Sequence, residues 1–424
     1  MASLARDLHD DGVAKGALAQ VQRATGASAD RHFLFLQGLP GPFFWRLGAA
    51  LRDEGARVSR INFNGGDVLD WPGQGAVAYR GTPADWPRWL EAFVDARGIT
   101  DIIVFGDLRP IHRTARTLAD RRGLGFVTFE EGYLRPNHVT MERGGVNGHS
   151  SFPRSLHAVR LIAGRAGELD AEVPVENWFR RRASQAALYY AATHTAAPIF
   201  RHYRTHRHAS PLREGAAWLR RYARRWTERR ASRDALAGLA GRPFFLFPLQ
   251  LEGDAQITAH SPFASMRDAV AQVLDAFRHA PADMALLVKQ HPLDPDVDNW
   301  RGFVTDRAAT LGLSDRVAFI ERFDLMPLLR VARGVVTVNS SVGPLALAAG
   351  VPVKVLGTAI YDVPGVTAAV PLDAFWRAPP PVDAEAFGVF CRALRAKCLI
   401  NGGFHSEAAL DLLVRNAVAR LRDR

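Results

Sequence analysis

The chain has 424 residues, 48% apolar and 23% charged, a globular balance that excludes disorder, collagen and coiled coil. Its 54 Lys and Arg against 43 Asp and Glu give a formal charge of +11, which favours nucleic acid, an acidic lipid surface or a phosphorylated substrate as partner. Two cysteines, Cys391 and Cys398, exclude a disulfide scaffold and a Cys-rich zinc module, and no uncharged apolar run is long enough to span a bilayer.

Residues 1–30 are small and polar and read as a flexible leader, without the apolar core of a signal peptide. Structure is expected to begin with a strand over 31–36 that stops at Gln37-Gly38-Leu39-Pro40-Gly41-Pro42. An amphipathic helix over 43–53 follows, then an alternating strand over 57–63 that ends at Asn64-Gly65-Gly66. A helix over 86–96, a buried strand over 101–105, a helix from about 109 to 122 and a strand over 125–129 complete this part. Strands alternating with helices predict βαβ units around a parallel sheet, an α/β class.

The segment 156–240 changes character to helical, aromatic and basic. It contains Trp178-Phe179-Arg180-Arg181-Arg182, the run from Arg201 through His208, and Arg220-Arg221-Tyr222-Ala223-Arg224-Arg225-Trp226. Alternation resumes with strands over 243–247, 284–289, 316–320 and 334–338, and an amphipathic helix closes the chain over about 384–421. The expected organisation is therefore two Rossmann-like lobes with parallel sheets, 31–155 and 241–380. A basic insertion lies between them over 156–240, with a C-terminal helical segment over 381–424. In such a frame a ligand occupies the crevice at the C-terminal ends of the strands.

Four polar segments follow apolar strands. Glu130-Glu131-Gly132-Tyr133-Leu134-Arg135-Pro136 puts two carboxylates beyond a strand, with Gly132 letting the chain turn; alone, the Glu-Glu-Gly tripeptide more often marks a solvated loop. The loop Gln250-Leu251-Glu252-Gly253-Asp254-Ala255-Gln256 carries two carboxylates and two amides. At Lys289-Gln290-His291-Pro292 two side chains can donate to phosphate, and Pro292 fixes the turn. Finally, Asn339-Ser340-Ser341-Val342-Gly343 leads into a helix with Ser340 or Ser341 at its N-cap, whose free N–H groups suit an anion as well as a cap. No zinc, P-loop or GxGxxG frame is present, so neither metal nor dinucleotide cofactor is expected. The basic aromatic segment fits a solvated surface or an anionic membrane, and no nucleic-acid-binding motif accompanies it.

Taken together these segments resemble the capsular polysaccharide biosynthesis/export proteins of the KpsS/LipB type. The resemblance includes Gln37-Gly38-Leu39-Pro40-Gly41, Asn64-Gly65-Gly66-Asp67, Tyr79-Arg80-Gly81, Gly106-Asp107, Arg143-Gly144-Gly145 and Gly357-Thr358-Ala359-Ile360-Tyr361-Asp362, and spans about 33–370. It implies a GT-B-like fold and retaining transfer of β-Kdo from CMP-Kdo to a phosphatidylglycerol-type lipid at the cytoplasmic face of the inner membrane. The first lobe would be the acceptor side and the second the CMP-sugar side, with other capsule assembly enzymes as partners and no cofactor or metal. In that frame Asp254 is the expected nucleophile and Glu131 the acid/base, with Glu130 as its substitute. Gln250, Lys289, His291, Pro292, Asn339, Ser340, Ser341, Gly343 and Arg135 are the expected substrate-binding residues. A sialyl-type CMP-sugar transferase and a non-catalytic component of capsule export are the alternatives.

Overall fold

A computed structural model describes residues 30–422 apart from 177, 206–210 and 240, so the expected leader, save Asp30, and His206-Arg207-His208 lie outside the described residues. The strands are β1 (His32–Phe35), β2 (Arg57–Asn62), β3 (Ala76–Ala78), β4 (Asp101–Phe105), β5 (Gly125–Glu131), β6 (His138–Arg143), β7 (Phe244–Pro248), β8 (Ala285–Lys289), β9 (Val317–Ile320), β10 (Gly334–Thr337), β11 (Val353–Val355) and β12 (Leu399–Asn401). They form a sheet ordered β12-β6-β5-β4-β1-β2-β3 and another ordered β11-β10-β7-β8-β9, which is parallel throughout. Helices connect the strands, so the α/β class with two sheets stands. Among the described residues no helix is long and apolar enough to cross a membrane.

The described residues divide into two compact units: those within 1–146, 170–205 and 398–424 form the first, and those within 147–169 and 206–397 form the second. In the first, β1 shows why its strands read as unbroken apolar runs. Phe33 and Phe35 enter a cluster with Phe43, Phe129 and Leu413, while Leu34 and Leu36 enter another with Ile61, Trp86 and Leu90. A two-residue side-chain period serves both faces of a covered sheet. In the second unit Phe245 and Phe247 of β7 pack with Phe277, Trp300 and Trp376.

The structure divides two of the expected segments. Within 156–240, Leu156–Arg165 belongs to the second unit, where Arg392 Nε donates to Ala163 O at 3.0 Å. Helix α1 (Phe179–Thr195) belongs to the first and lies against Gly65 and Gly66. A Cβ on those glycines would stand 2.1 Å from Ala192 O and 2.5 Å from the Tyr189 ring. Helices α2 (Pro211–Ala223) and α3 (Arg225–Gly238) return to the second unit. The 381–424 segment is helix Ala384–Lys397 in the second unit, then β12 and helix Glu407–Arg422 in the first. There β12 pairs antiparallel with β6, which itself pairs antiparallel with β5.

Candidate functional site

At the C-terminal end of the second sheet, β7 and β8 are locked together where Leu249 N donates to Lys289 O at 2.8 Å. The loop after β7 then holds its acid firmly. Buried Gln250 donates from Nε2 to Asp254 Oδ2 at 3.2 Å, and Gln256 N donates to Asp254 Oδ1 at 2.9 Å. Gln250 Oε1 meanwhile accepts from Asn339 N at 2.8 Å, tying this loop to the one after β10. Asn339 completes the tie by donating from Nδ2 to Gln256 O and His260 O, each at 2.8 Å. Donors on both oxygens fix the direction of the carboxylate. Glu252, the other acid of the loop, accepts from Met266 N at 3.1 Å; burial raises its pKa.

Lys289 ends β8 and is 6% exposed. Burial, reinforced by the Arg221 charge, lowers its pKa. It lines a cavity of about 670 Å³ together with Pro292, Arg221, Arg229, Arg233 and Arg322; Glu321 and Asp324 are the acids there. The acids are outnumbered, and Glu321 is drawn away to Arg301 at 2.5 Å. Arg221 is 3% exposed and donates to Pro292 O at 3.1 Å and to Asp294 O, while its Nε has no hydrogen-bond partner. An apolar ligand would gain little from such a lining; a phosphate or carboxylate would gain several charge-assisted bonds. His291 is half-buried, and its Nδ1 accepts from Leu293 N at 3.1 Å, which shapes the turn at Pro292.

The loop after β10 departs from its expected chemistry. Ser341 stands at the N-cap of a seven-residue helix, Val342–Ala348, without a side-chain capping bond. Ser340 Oγ instead accepts from Val342 N at 3.2 Å, and its carbonyl accepts from Tyr361 Oη at 2.6 Å. Gly343 is needed for that tyrosine: a Cβ there would lie 2.4 Å from the Tyr361 ring.

In the first unit the two expected acids are the last residues of β5 rather than loop residues beyond it. Glu130 is opposite Thr140 and Glu131 opposite Val139 on β6, so their side chains leave opposite faces of the sheet. Glu131 meets Arg182 of α1 at 3.1 Å and Arg135 at 3.8 Å. Glu130 accepts from Glu131 N at 3.0 Å, and its Oε2 lies beside Gly106, where a Cβ would approach to 3.2 Å. Burial, helped by the neighbouring Glu131 charge, pushes the Glu130 pKa up to about 7 against the pull of Arg109 and Arg135. Gly132 is required less for turning than for closeness, since a Cβ would strike His138 O at 1.8 Å. Arg135 reaches back from Nε to Gly132 O at 3.2 Å.

Sequence reasoning missed the four cavity arginines; three of them, Arg221, Arg229 and Arg233, belong to the basic aromatic segment, which reads locally as surface, and Arg322 lies beyond it. It also missed a buried polar network in the first unit. There Asp67 accepts from Arg60 at 3.1 Å, Gln37 at 3.2 Å, Tyr189 at 3.0 Å and Phe63 N at 2.9 Å.

A family model described as capsule polysaccharide biosynthesis protein matches residues 100–405. The chain is similar to the capsule polysaccharide export protein KpsS of Escherichia coli, 34% identical over 383 residues, covering 88% of this chain and 97% of that protein. It is similar at 34% over 388 residues to the capsule polysaccharide modification protein LipB of Neisseria meningitidis serogroup A, covering 89% of this chain and 92% of that one. Among solved structures, the KpsC β-Kdo 2,7 transferase of Thermosulfurimonas dismutans aligns with TM-score 0.42 and 13% identity, covering 91% of this chain and 99% of that one.

Proposed function

The chain belongs to the capsule polysaccharide biosynthesis protein family, and we propose that it is a retaining glycosyltransferase of the GT-B kind. Its donor on this reading is CMP-Kdo, and its acceptor a phosphatidylglycerol-type lipid at the inner face of the inner membrane. One observation carries the reading: a carboxylate clamped by two donors, Asp254, and a buried-lysine, arginine-rich cavity share adjacent strand ends of one sheet. A sugar nucleotide needs both, because its anomeric carbon must be attacked while its phosphate is held. Kdo adds a carboxylate of its own, which suits the excess of arginine over acid.

In the proposed reaction Asp254 attacks the anomeric carbon, and the bond from that carbon to the phosphate oxygen breaks. CMP leaves with the electron pair, its charge held by Lys289, His291 and the cavity arginines. The acceptor hydroxyl then attacks the glycosyl ester, its proton passes to a base, and Asp254 is released, so two inversions give retention. For the base we assign Glu130. Glu131 is held as the partner of two arginines, whereas Glu130 titrates near neutrality, where a base is most effective.

The test is incubation with CMP-Kdo and a short-chain phosphatidylglycerol analogue, reading product mass and anomeric configuration, with CMP-sialic acid in parallel. A β-Kdo product is expected, lost by several orders of magnitude in Asp254→Asn, which should still bind CMP. In the Glu130→Gln variant, intact-mass analysis should find one Kdo on the peptide containing Asp254. Product from CMP-sialic acid alone would change the donor; absence of product from either would overturn the transferase reading.

A further inference from the structure

We infer that the outward face of the α2–α3 hairpin docks on an anionic lipid bilayer, an inference that rests on the lipid-acceptor reading above and gives it a surface. The hairpin has two faces with opposite fates. Its inner face is fixed to the second unit: Ala217 is 1% exposed, Glu228 receives Arg322 Nε at 2.7 Å, and Ser232 Oγ donates to Glu321 at 3.2 Å. Its outer face carries Leu219 at 73% and Tyr222 at 65% exposure, while Trp226, also 65% exposed, stands at the cavity. Leu219 and Tyr222 are one helical turn apart, so they share a side of α2.

These rings sit among arginines rather than apart from them. The Arg225 guanidinium lies 4.0 Å from the Tyr222 ring centroid and 5.6 Å from that of Trp226 at the cavity. Residues 211–238 hold eight arginines against three acids. Two of those acids are engaged, Glu228 by Arg322 and Asp234 by Arg230 at 3.9 Å. What faces outward is thus cationic and aromatic together. Aromatic rings partition to the headgroup level and arginines to anionic headgroups, so a bilayer satisfies both at once. Nucleic acid would use the charge but gives Leu219 no role. The inner side of the same hairpin supplies Arg221, Arg229 and Arg233 to the cavity proposed for the donor, which would bring that cavity to the lipid surface.

The experiment is co-sedimentation of the full chain with vesicles of phosphatidylcholine alone and with phosphatidylglycerol added, at physiological salt. The variants are Arg220→Glu/Arg224→Glu/Arg225→Glu and Leu219→Ser/Tyr222→Ser, none of which touches the cavity. The parent should bind only the anionic vesicles. The charge variant should partition about a hundredfold less and the apolar variant should also lose binding. Both should keep thermal unfolding and transfer to a short-chain acceptor at parent levels. Variants that sediment like the parent overturn the docking surface alone. A parent without transfer activity, whose vesicle binding still depends on the hairpin, leaves the docking surface standing and removes the transferase reading. A parent that ignores both vesicles but retains single-stranded RNA through the hairpin gives the surface to nucleic acid and overturns the inference.

Discussion

Exchanging the two adjacent glutamates for glutamine, one at a time, should separate their roles. Glu130 titrates at about 7 because burial disfavours its charge and Glu131 adds a like charge beside it. A base acts ionised, so transfer to acceptor should rise with pH: from about a tenth of the maximum at about pH 6 to about nine-tenths at about pH 8. Glu130→Gln should abolish that rise and slow the acceptor step by about a hundredfold to ten-thousandfold. Glu131→Gln should behave differently. It removes the like charge and releases Arg135 and Arg182, so the pKa of Glu130 should fall and the midpoint of the profile should move to lower pH. Single-turnover transfer across this range, started from the preformed glycosyl-enzyme, reads the acceptor step alone. A Glu130→Gln variant that keeps the parent's rate and midpoint, beside a dead Glu131→Gln variant, would refute the assignment.

Lys289→Met keeps the apolar stem but removes the ammonium from the cavity; CMP should bind about tenfold to a hundredfold more weakly by calorimetry, and unchanged affinity would remove the cavity from the donor site. Asp67→Ala leaves the Arg60 guanidinium, 2% exposed, without its counter-charge, and should cost about 3–5 kcal/mol in denaturant unfolding; a loss under about 1 kcal/mol would show the network to be dispensable. Glu130 and Asp70 both have pKa values raised to about 7, mainly by burial, so the folded state binds their protons more tightly than the unfolded chain does. Their contribution should therefore favour folding at acid pH and fade as pH rises from about 4 through about 7, and Glu130→Gln should flatten that part of the stability profile.

The first sheet's parallel part was readable because its strands are buried on both faces, which compels continuous apolar runs between polar punctuation. Asp101–Phe105 is the case in point: four buried residues, then a glycine turn. The antiparallel edge was not readable, because its members draw their definition from partners. The three residues of β12 become a strand only where Leu399, Ile400 and Asn401 meet Thr140, Val139 and His138. No property of residues 399–401 announces a neighbour some 260 positions away, and the final helical segment accordingly read as uninterrupted. The placing of each insertion helix was hidden for a related reason. Composition sees that 156–240 is basic and aromatic, but which unit each helix joins is set by long-range contacts such as Tyr189 with Asp67 or Ser232 with Glu321.

The same distinction governs the site. The clamp on Asp254 was legible because it is local: a glutamine four residues before it and a backbone N–H two residues after it supply the hydrogen bonds. Gln256 contributes through its backbone N–H, since a turn this tight presents the backbone first. The different surroundings of Glu130 and Glu131 were not legible, because adjacent identical residues differ only once the strand continues through them. Extending β5 by two residues, through pairing with β6, sends one carboxylate to Arg182 and the other towards Gly106. Motif and role thus separate along a physical line. A motif records which groups a reaction needs, whereas the protonation state that decides who gives and who takes a proton comes from burial and neighbouring charge, which are tertiary properties.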